Sequence, residues 1–309
     1  MEQYPLLIIL GATASGKTKL AIELAKALET EIISADSRQV FKGMDIGTGK
    51  DLIEFYKADI PFHLIDIRAA GENYNVNSFK EDFYTAFTSI INKNKLPILC
   101  GGTGMYIHSL LQNHELTAVP NNESLRIVLQ GLDKSELEAK IKSYPESLTH
   151  HVDFSSAKRL IRAIEVADYL QNHTLEKVDR PVLNPLVIGL VDELETRRAK
   201  ITERLMRRLK QGLIEEVEKL IANGVPVAML TFYGLEYKFV ASYLMNEIDF
   251  LTLKERLTIA ICQFAKRQMT FFRKMEKDGV KVEWLAADKE MISLKEQVLQ
   301  HIKHQFELK

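Results

Sequence analysis

In the run GATASGKTKLAIELA (11–25), Gly11 is followed after four residues by Gly16-Lys17-Thr18. This is the phosphate-cradling spacing G-x-x-x-x-G-K-[ST]. The backbone N–H groups of residues 13–18 then converge at a helix N-terminus, where they favour oxyanions. Lys17 adds a positive charge, and the Thr18 hydroxyl is of the kind that ligates magnesium. Gly11, Thr13, Ala14, Ser15, Gly16, Lys17 and Thr18 are therefore expected to hold a polyphosphate. The loop does not specify whose. A nucleoside-triphosphate hydrolase or kinase would add an apolar strand ending in an aspartate that holds magnesium and positions water. The run LPILC (96–100) ends instead in Gly101-Gly102-Thr103. Asp66 in HLIDI and Asp192 in LVIGLVDE stand in no obvious position for that role and read equally well as cap or surface residues.

The elements that must carry this loop are legible as short apolar runs alternating with amphipathic stretches: 6–10, a helix from Lys17, 31–35, 62–67, a helix near 78–92, and 96–100. That order predicts a parallel sheet covered by helices on both faces. Ligands bind such sheets at the carboxyl ends of the strands. Functional residues are then expected at 11–18, from Asp36 onward, and at Gly101–Thr103. Between 113 and 182 the texture turns polar and helical, punctuated by Pro120, Pro145 and Pro181, and reads as an inserted helical subdomain between core parts 1–112 and 183–309. The second core part begins with the run 185–191 and continues as a long helix over roughly 194–222. A helix near 251–276 and a strand at 282–285 follow. At 100° per residue, Ile201, Leu205, Leu209, Leu213 and Leu220 form an apolar stripe edged by Arg197, Arg204 and Arg208.

Composition narrows the classes. Of 309 residues, 46% are apolar and 27% charged, and no run of eighteen apolar residues exists, so a water-soluble globular protein is expected. The opening MEQYPLLIIL reads as a buried strand rather than a leader. Two cysteines, Cys100 and Cys262, form neither a disulfide framework nor a zinc set, and a reducing cytoplasm fits. A net charge of −1 leaves any RNA contact to local patches. Candidates are Lys158, Arg159 and Arg162, the arginine-rich 197–210 stretch, and 266–274; each is also compatible with a solvated helix face.

After the second apolar run comes SADSRQVFKGMDIGTGK (34–50), a glycine-rich loop with little hydrophobic pattern. Together with GATASGKT, FHLIDI, PILCGGTGMYI, KRLIRAIEV (158–166), RLMRRLKQGLIEEV (204–217) and AKRQMTFFRK (265–274), this block resembles the tRNA dimethylallyltransferases, or tRNA isopentenyltransferases, of bacterial type, over essentially the whole chain. The resemblance implies an α/β, P-loop NTPase-like fold with a parallel sheet flanked by helices and an inserted helical tRNA-binding subdomain. It implies transfer of the dimethylallyl group of dimethylallyl diphosphate to N6 of the adenosine 3′-adjacent to the anticodon. The loop, Arg204 and magnesium at Thr18 would hold the diphosphate, with Asp36 as general base and Thr103 at the transferring centre. Ser37, Arg38 and Gln39 would contact the flipped nucleotide, and Arg126, Lys158, Arg159, Leu160, Ile161 and Arg162 the anticodon stem-loop. On spacing alone Asp36 is as readily a turn residue in ADS, and Thr103 a helix N-cap. A cytoplasmic monomer is expected.

Two positions depart from the family pattern. Phe41 stands where tyrosine is common, and Glu236, in FYGLEYK, where a basic residue is common, which removes an expected RNA contact. The chain ends at Lys309 without the zinc-finger tail of eukaryotic relatives. Competing readings are an ATP-using small-molecule kinase, a prenyltransferase acting on free adenine nucleotides, and a non-enzymatic RNA-binding module. The missing aspartate strand disfavours the first, the basic insertion the second and the phosphate loop the third.

Overall fold

The computed structural model describes residues 3–112, 114–150, 152–176 and 178–306. Two compact units are present, one formed by Met1–Gln112 with Pro181–Lys309 and one by Asn113–Arg180. In the first unit the chain runs β1 (Gln3–Gly11), α1 (Lys17–Ala27), β2 (Ile32–Ser34), α2 (Leu52–Ala58), β3 (Phe62–His63), α3 (Val76–Ile91), β4 (Ile98–Gly101) and α4 (Gly104–Leu111). The second unit is helical: α5 (Glu123–Gln130), α6 (Lys134–Lys142), α7 (Glu146–Thr149) and α8 (Ala157–Asn172). The first unit then resumes with β5 (Val182–Val191), α9 (Leu194–Lys210), α10 (Leu213–Ala222), α11 (Val227–Tyr233), α12 (Leu235–Leu244), α13 (Phe250–Lys277), β6 (Glu283–Ala286) and α14 (Met291–Phe306).

The six strands form one sheet in the order β3-β2-β4-β1-β5-β6, and every pairing is parallel. β1 lies inside it, so both of its faces must be apolar. Leu6, Ile8 and Leu10 enter one buried cluster, with Phe79, Phe83 and Phe272, while Leu7 and Ile9 enter the other, with Leu20, Leu24 and Val298. Each such side chain contributes roughly 1.5–3 kcal/mol by leaving water. Among the described residues no helix is long and apolar enough to cross a membrane.

The structure shortens or divides three expected elements. The strand expected over 31–35 pairs only at Ile32–Ser34, and the one expected over 62–67 only at Phe62 and His63. Leu64 and Asp66 take left-handed φ values of 64° and 57°, which leave the extended region. The helix expected over 194–222 breaks at Gly212, whose φ of 102° suits glycine and no helix interior, and continues as a second helix. The apolar stripe survives the break, with Ile201, Leu205, Leu213 and Leu220 buried. α13 is a continuous 28-residue helix started by Asp249, whose carboxylate accepts the Thr252 N–H at 2.7 Å.

The helical unit has its own core of Leu129, Leu137, Ile141, Leu160, Ala163, Ile164 and Ala167. Three of its helices, α5, α6 and α8, carry side-chain caps: Asn122 accepts the N–H of Leu125, Ser156 that of Arg159, and Asp133 closes a reciprocal capping box with Glu136.

Candidate active site

The turn from β1 into α1 is built by two left-handed residues, Ala14 (φ 65°) and Gly16 (φ 82°). They bring the amides of the loop round to the N-terminus of α1. Ser15 is buried, and its Oγ has no hydrogen-bond partner, the state expected of a group that awaits an oxyanion. Gln268 of α13 braces the loop from the opposite side. Its Oε1 accepts the Thr13 N–H at 2.9 Å, and its Nε2 donates to the Gly102 carbonyl at 2.9 Å. One buried amide thus ties the phosphate loop to the turn after β4. Lys17 extends into the same cavity, where burial lowers its pKa; Asp36 and Asp51 act in the opposite direction.

The ends of β2 and β4 are locked together. The Ala35 N–H donates to the Cys100 carbonyl at 2.8 Å, and the Thr103 N–H to the Ala35 carbonyl at 3.1 Å. A Cβ at Gly101 would collide with the Ala35 backbone, so this approach requires glycine. Thr103 occupies the N-cap position of α4, but its side chain makes no cap bond. The hydroxyl instead accepts the Ser37 N–H at 3.0 Å, which holds Thr103 beside the Asp36–Ser37 turn. Asp36 Oδ1 accepts the Arg38 N–H at 3.0 Å. Gln39 takes the Ser34 hydroxyl at 2.9 Å and donates to the Gly49 carbonyl at 3.0 Å, so it braces the glycine loop. The Arg38 guanidinium lies over the Phe232 ring, 4.9 Å from its centroid.

Loop 41–50 is clasped from three helices. Glu216 of α10 accepts the N–H groups of Asp45, Ile46 and Gly47 at 2.8, 2.7 and 2.9 Å, and the Tyr237 hydroxyl at 2.7 Å. Lys50 is fully buried; its ammonium donates to the Phe41 carbonyl at 2.7 Å and to Asp45 at 2.6 Å, and also meets Asp66. Asp66 is therefore a structural counter-charge. Asp192 likewise pairs with Lys200, at 2.6 Å. From α9, Arg204 reaches Thr13 Oγ1 at 3.3 Å, with Asp51 at 3.6 Å. Burial, helped by the neighbouring Arg208, brings its pKa down to about 10. Arg208 donates to the Gly47 carbonyl at 3.3 Å and to Glu236 at 3.2 Å. Burial raises the Glu236 carboxyl and Arg208 opposes that shift.

The phosphate loop, the turns after β2 and β4 and the two arginines of α9 border one cavity of about 650 Å³, whose walls include Lys17, Asp36, Thr103, Arg204, Glu236 and Phe271. Phe41 stands outside it, buried and edge-on to Tyr233 with 4.9 Å between ring centroids, so the absent hydroxyl leaves an apolar contact intact. Among the described residues no three His, Cys, Asp or Glu side chains cluster as a metal site. Thr18 does line the cavity, which suits an ion carried largely by phosphate oxygens.

Sequence reasoning missed Gln268, Glu216 and Lys50. Gln268 carried one signal, a neutral polar residue on the apolar side of an amphipathic helix. Glu216 and Lys50 carried none, since charged residues on a helix or in a glycine loop read as solvated.

In the helical unit, Lys158 and Arg159 are exposed, and a second cavity is lined by Arg126, Gln130, Lys158, Arg159, Ile161 and Arg162. Leu160 differs from the expectation. Its side chain is fully buried among the unit's apolar residues, because it sits on the inward stripe of α8. Glu165, also buried, accepts the Asn122 N–H at 3.0 Å and Arg126 at 2.6 Å. Arg162 donates to the carbonyls of Leu116 at 3.3 Å and Val119 at 2.7 Å.

The IPP transferase family model matches residues 39–275. The chain is 49% identical over 284 residues to tRNA dimethylallyltransferase 2 of Porphyromonas gingivalis, covering 91% of this chain and 94% of that protein. It is 47% identical over 289 residues to tRNA dimethylallyltransferase 2 of Treponema denticola, covering 92% and 96%. The crystal structure of tRNA delta(2)-isopentenylpyrophosphate transferase from Staphylococcus epidermidis superposes with a TM-score of 0.71 at 31% identity, over 98% of this chain and 99% of that one. A eukaryotic dimethylallyltransferase acting on tRNA shares the fold, with a TM-score of 0.75 at 20% identity over 97% of this chain and 78% of that one. The parallel sheet and phosphate loop are thus those of a P-loop NTPase-like fold, and the chain belongs to the IPP transferase family, a family of transferase enzymes.

Proposed function

We propose that this chain transfers the dimethylallyl group of dimethylallyl diphosphate to N6 of the adenosine 3′-adjacent to the anticodon of tRNA. The observation that carries this reading is the meeting of the phosphate loop, Asp36 and Thr103 around one cavity at the carboxyl end of a parallel sheet. N6 attacks the allylic carbon, the carbon–oxygen bond breaks toward the diphosphate, and the N6 proton passes to Asp36. A positioned base of this kind contributes about 10²–10⁴ in rate. Charge grows on the diphosphate oxygens as the bond breaks, where the loop amides, Ser15 Oγ, Lys17 and Arg204 receive it. The Thr18 hydroxyl would hold a magnesium ion, whose charge adds to that neutralisation. Thr103, fixed by Ser37, would orient the reacting centre. No water-positioning carboxylate is required, which agrees with the pairing of Asp66 to Lys50 and of Asp192 to Lys200.

The flipped adenosine would meet Ser37, Arg38 and Gln39, and the anticodon stem-loop would meet the basic face of Arg126, Lys158, Arg159, Ile161 and Arg162. The enzyme would act as a cytoplasmic monomer. The test is incorporation of label from dimethylallyl diphosphate, with magnesium, into tRNA lacking the modification, beside AMP and ATP as acceptors and an ATP hydrolysis assay. Prenylated adenosine in tRNA alone is expected. Label on the free nucleotide means a cytokinin-type enzyme, and ATP turnover without prenyl transfer means a kinase-like one.

A further inference from the structure

Arg204 and Arg208 stand one turn apart on α9 and face the same backbone. A Cβ on Gly49 would strike the Nη2 of both. Two cations held this close repel, and Arg208 is among the causes that lower the Arg204 pKa. Their partners differ. Arg204 touches the phosphate loop at Thr13 Oγ1, whereas Arg208 is turned to the Gly47 carbonyl and to Glu236 Oε1. Glu236 sits in the first turn of α12 and lines the cavity, with its side chain 16% exposed. Its neighbour Tyr237 is fixed on Gly47 and Glu216, so the helix that carries Glu236 is anchored against the same loop.

We infer that Glu236 is a positioning residue that holds Arg208 away from the diphosphate, so that Arg204 alone of this pair meets the anion. The inference rests on reading the cavity as a diphosphate site. Diphosphate is at once the leaving group and a product, and a wall that gripped it with both arginines would bind substrate and product more tightly alike. Such uniform binding lowers KM without raising kcat, and it slows release. A carboxylate in direct contact with Arg208 prevents this by giving that cation a permanent partner. The position is one where a positive side chain would have the opposite effect.

The experiment is calorimetric titration of inorganic diphosphate, with magnesium, into the full-length wild type, Glu236→Gln and the double variant Glu236→Gln/Arg208→Gln. An opposite charge in contact typically moves a neighbouring ionic equilibrium by one to three powers of ten. Freeing Arg208 is therefore expected to tighten diphosphate binding about tenfold in Glu236→Gln. The double variant, which removes both charges and leaves no unpaired ion, is expected to return to within about twofold of the wild type. Unchanged or weaker binding in a folded Glu236→Gln overturns the inference and would make Glu236 only a brace for loop 41–50. A tenfold loss in the double variant also overturns it, because Arg208 would then already be a ligand, and this arm stands even if the single variant unfolds. Wild-type protein that binds no diphosphate would instead remove the phosphate-site reading on which the inference rests.

Discussion

Arg204 and Arg162 are both half-buried arginines on helices, and burial lowers the pKa of each. Arg204 makes one 3.3 Å bond to the phosphate loop and holds a 3.6 Å partner, Asp51, at the cavity rim. Arg162 donates to two backbone carbonyls and stands 3.8 Å from the buried Glu165. The first is aimed into a cavity, and the second closes its own unit's fold. In the sheet unit the charges at the cavity wall are paired with one another, Arg204 with Asp51 and Arg208 with Glu236. In the helical unit the inner arginines satisfy the scaffold, and Lys158 and Arg159 remain exposed.

The comparison breaks most sharply at Asp36. Asp36→Asn is expected to lower kcat by about 10²–10⁴, or roughly 3–5 kcal/mol of transition-state stabilisation. Single-turnover prenylation of tRNA at saturating substrates reads this, and wild-type turnover would remove Asp36 as the base. In the helical unit the largest effect is on folding. Glu165→Gln leaves Arg126 without its 2.6 Å partner, with an expected cost of about 2–4 kcal/mol. Hydrogen exchange should show α8 losing protection while β1 and β5 keep theirs; equal loss in both would erase the distinction between the units.

A smaller effect is expected at the exposed cations. Lys158→Ala and Arg159→Ala should each weaken tRNA binding a few-fold and reduce the salt slope by about one, while changing stability by less than about 0.5 kcal/mol. Fluorescence titration of tRNA at several salt concentrations checks this, and an unaltered slope would leave these side chains as solvated surface. The mildest effect is on pH dependence. Burial lowers the Lys17 pKa, and an anion restores it, so diphosphate binding should take up protons as pH rises through that lowered value. Affinity should then begin to fall at a pH below that of an ordinary lysine, with a second decline near the Arg204 value of about 10. Calorimetry in two buffers of different ionisation heat measures the uptake.

Much of the sheet unit was legible because its signals are periodic. The continuous apolar run of β1, buried on both faces, the turn glycines and the helical stripe on α9 each follow from backbone geometry. The break at Gly212 was masked by apolar residues that continue the stripe on both sides of it. HLIDI is apolar and reads as a longer strand than β3, but Leu64 and Asp66 take left-handed φ values that end the pairing, and Asp66 meets Lys50. In the candidate site, the loop and Asp36 were readable from spacing and resemblance. Gln268, Glu216 and the pairing of Arg208 were not, since each depends on residues 28 to 255 positions away in the chain. Leu160 lay inside a basic segment, and only the packing of α8 shows that it faces inward.

The Gln268 amide has one accepting end on Thr13 and one donating end on Gly102, and it carries no charge at any pH. It therefore works as a strut of fixed polarity: a displacement of the loop under the leaving group is transmitted to the turn beside Thr103, and the two move in register. Gln268→Glu would turn the donating end into a second acceptor, set two oxygens against each other at Gly102, and let the halves of the site drift independently.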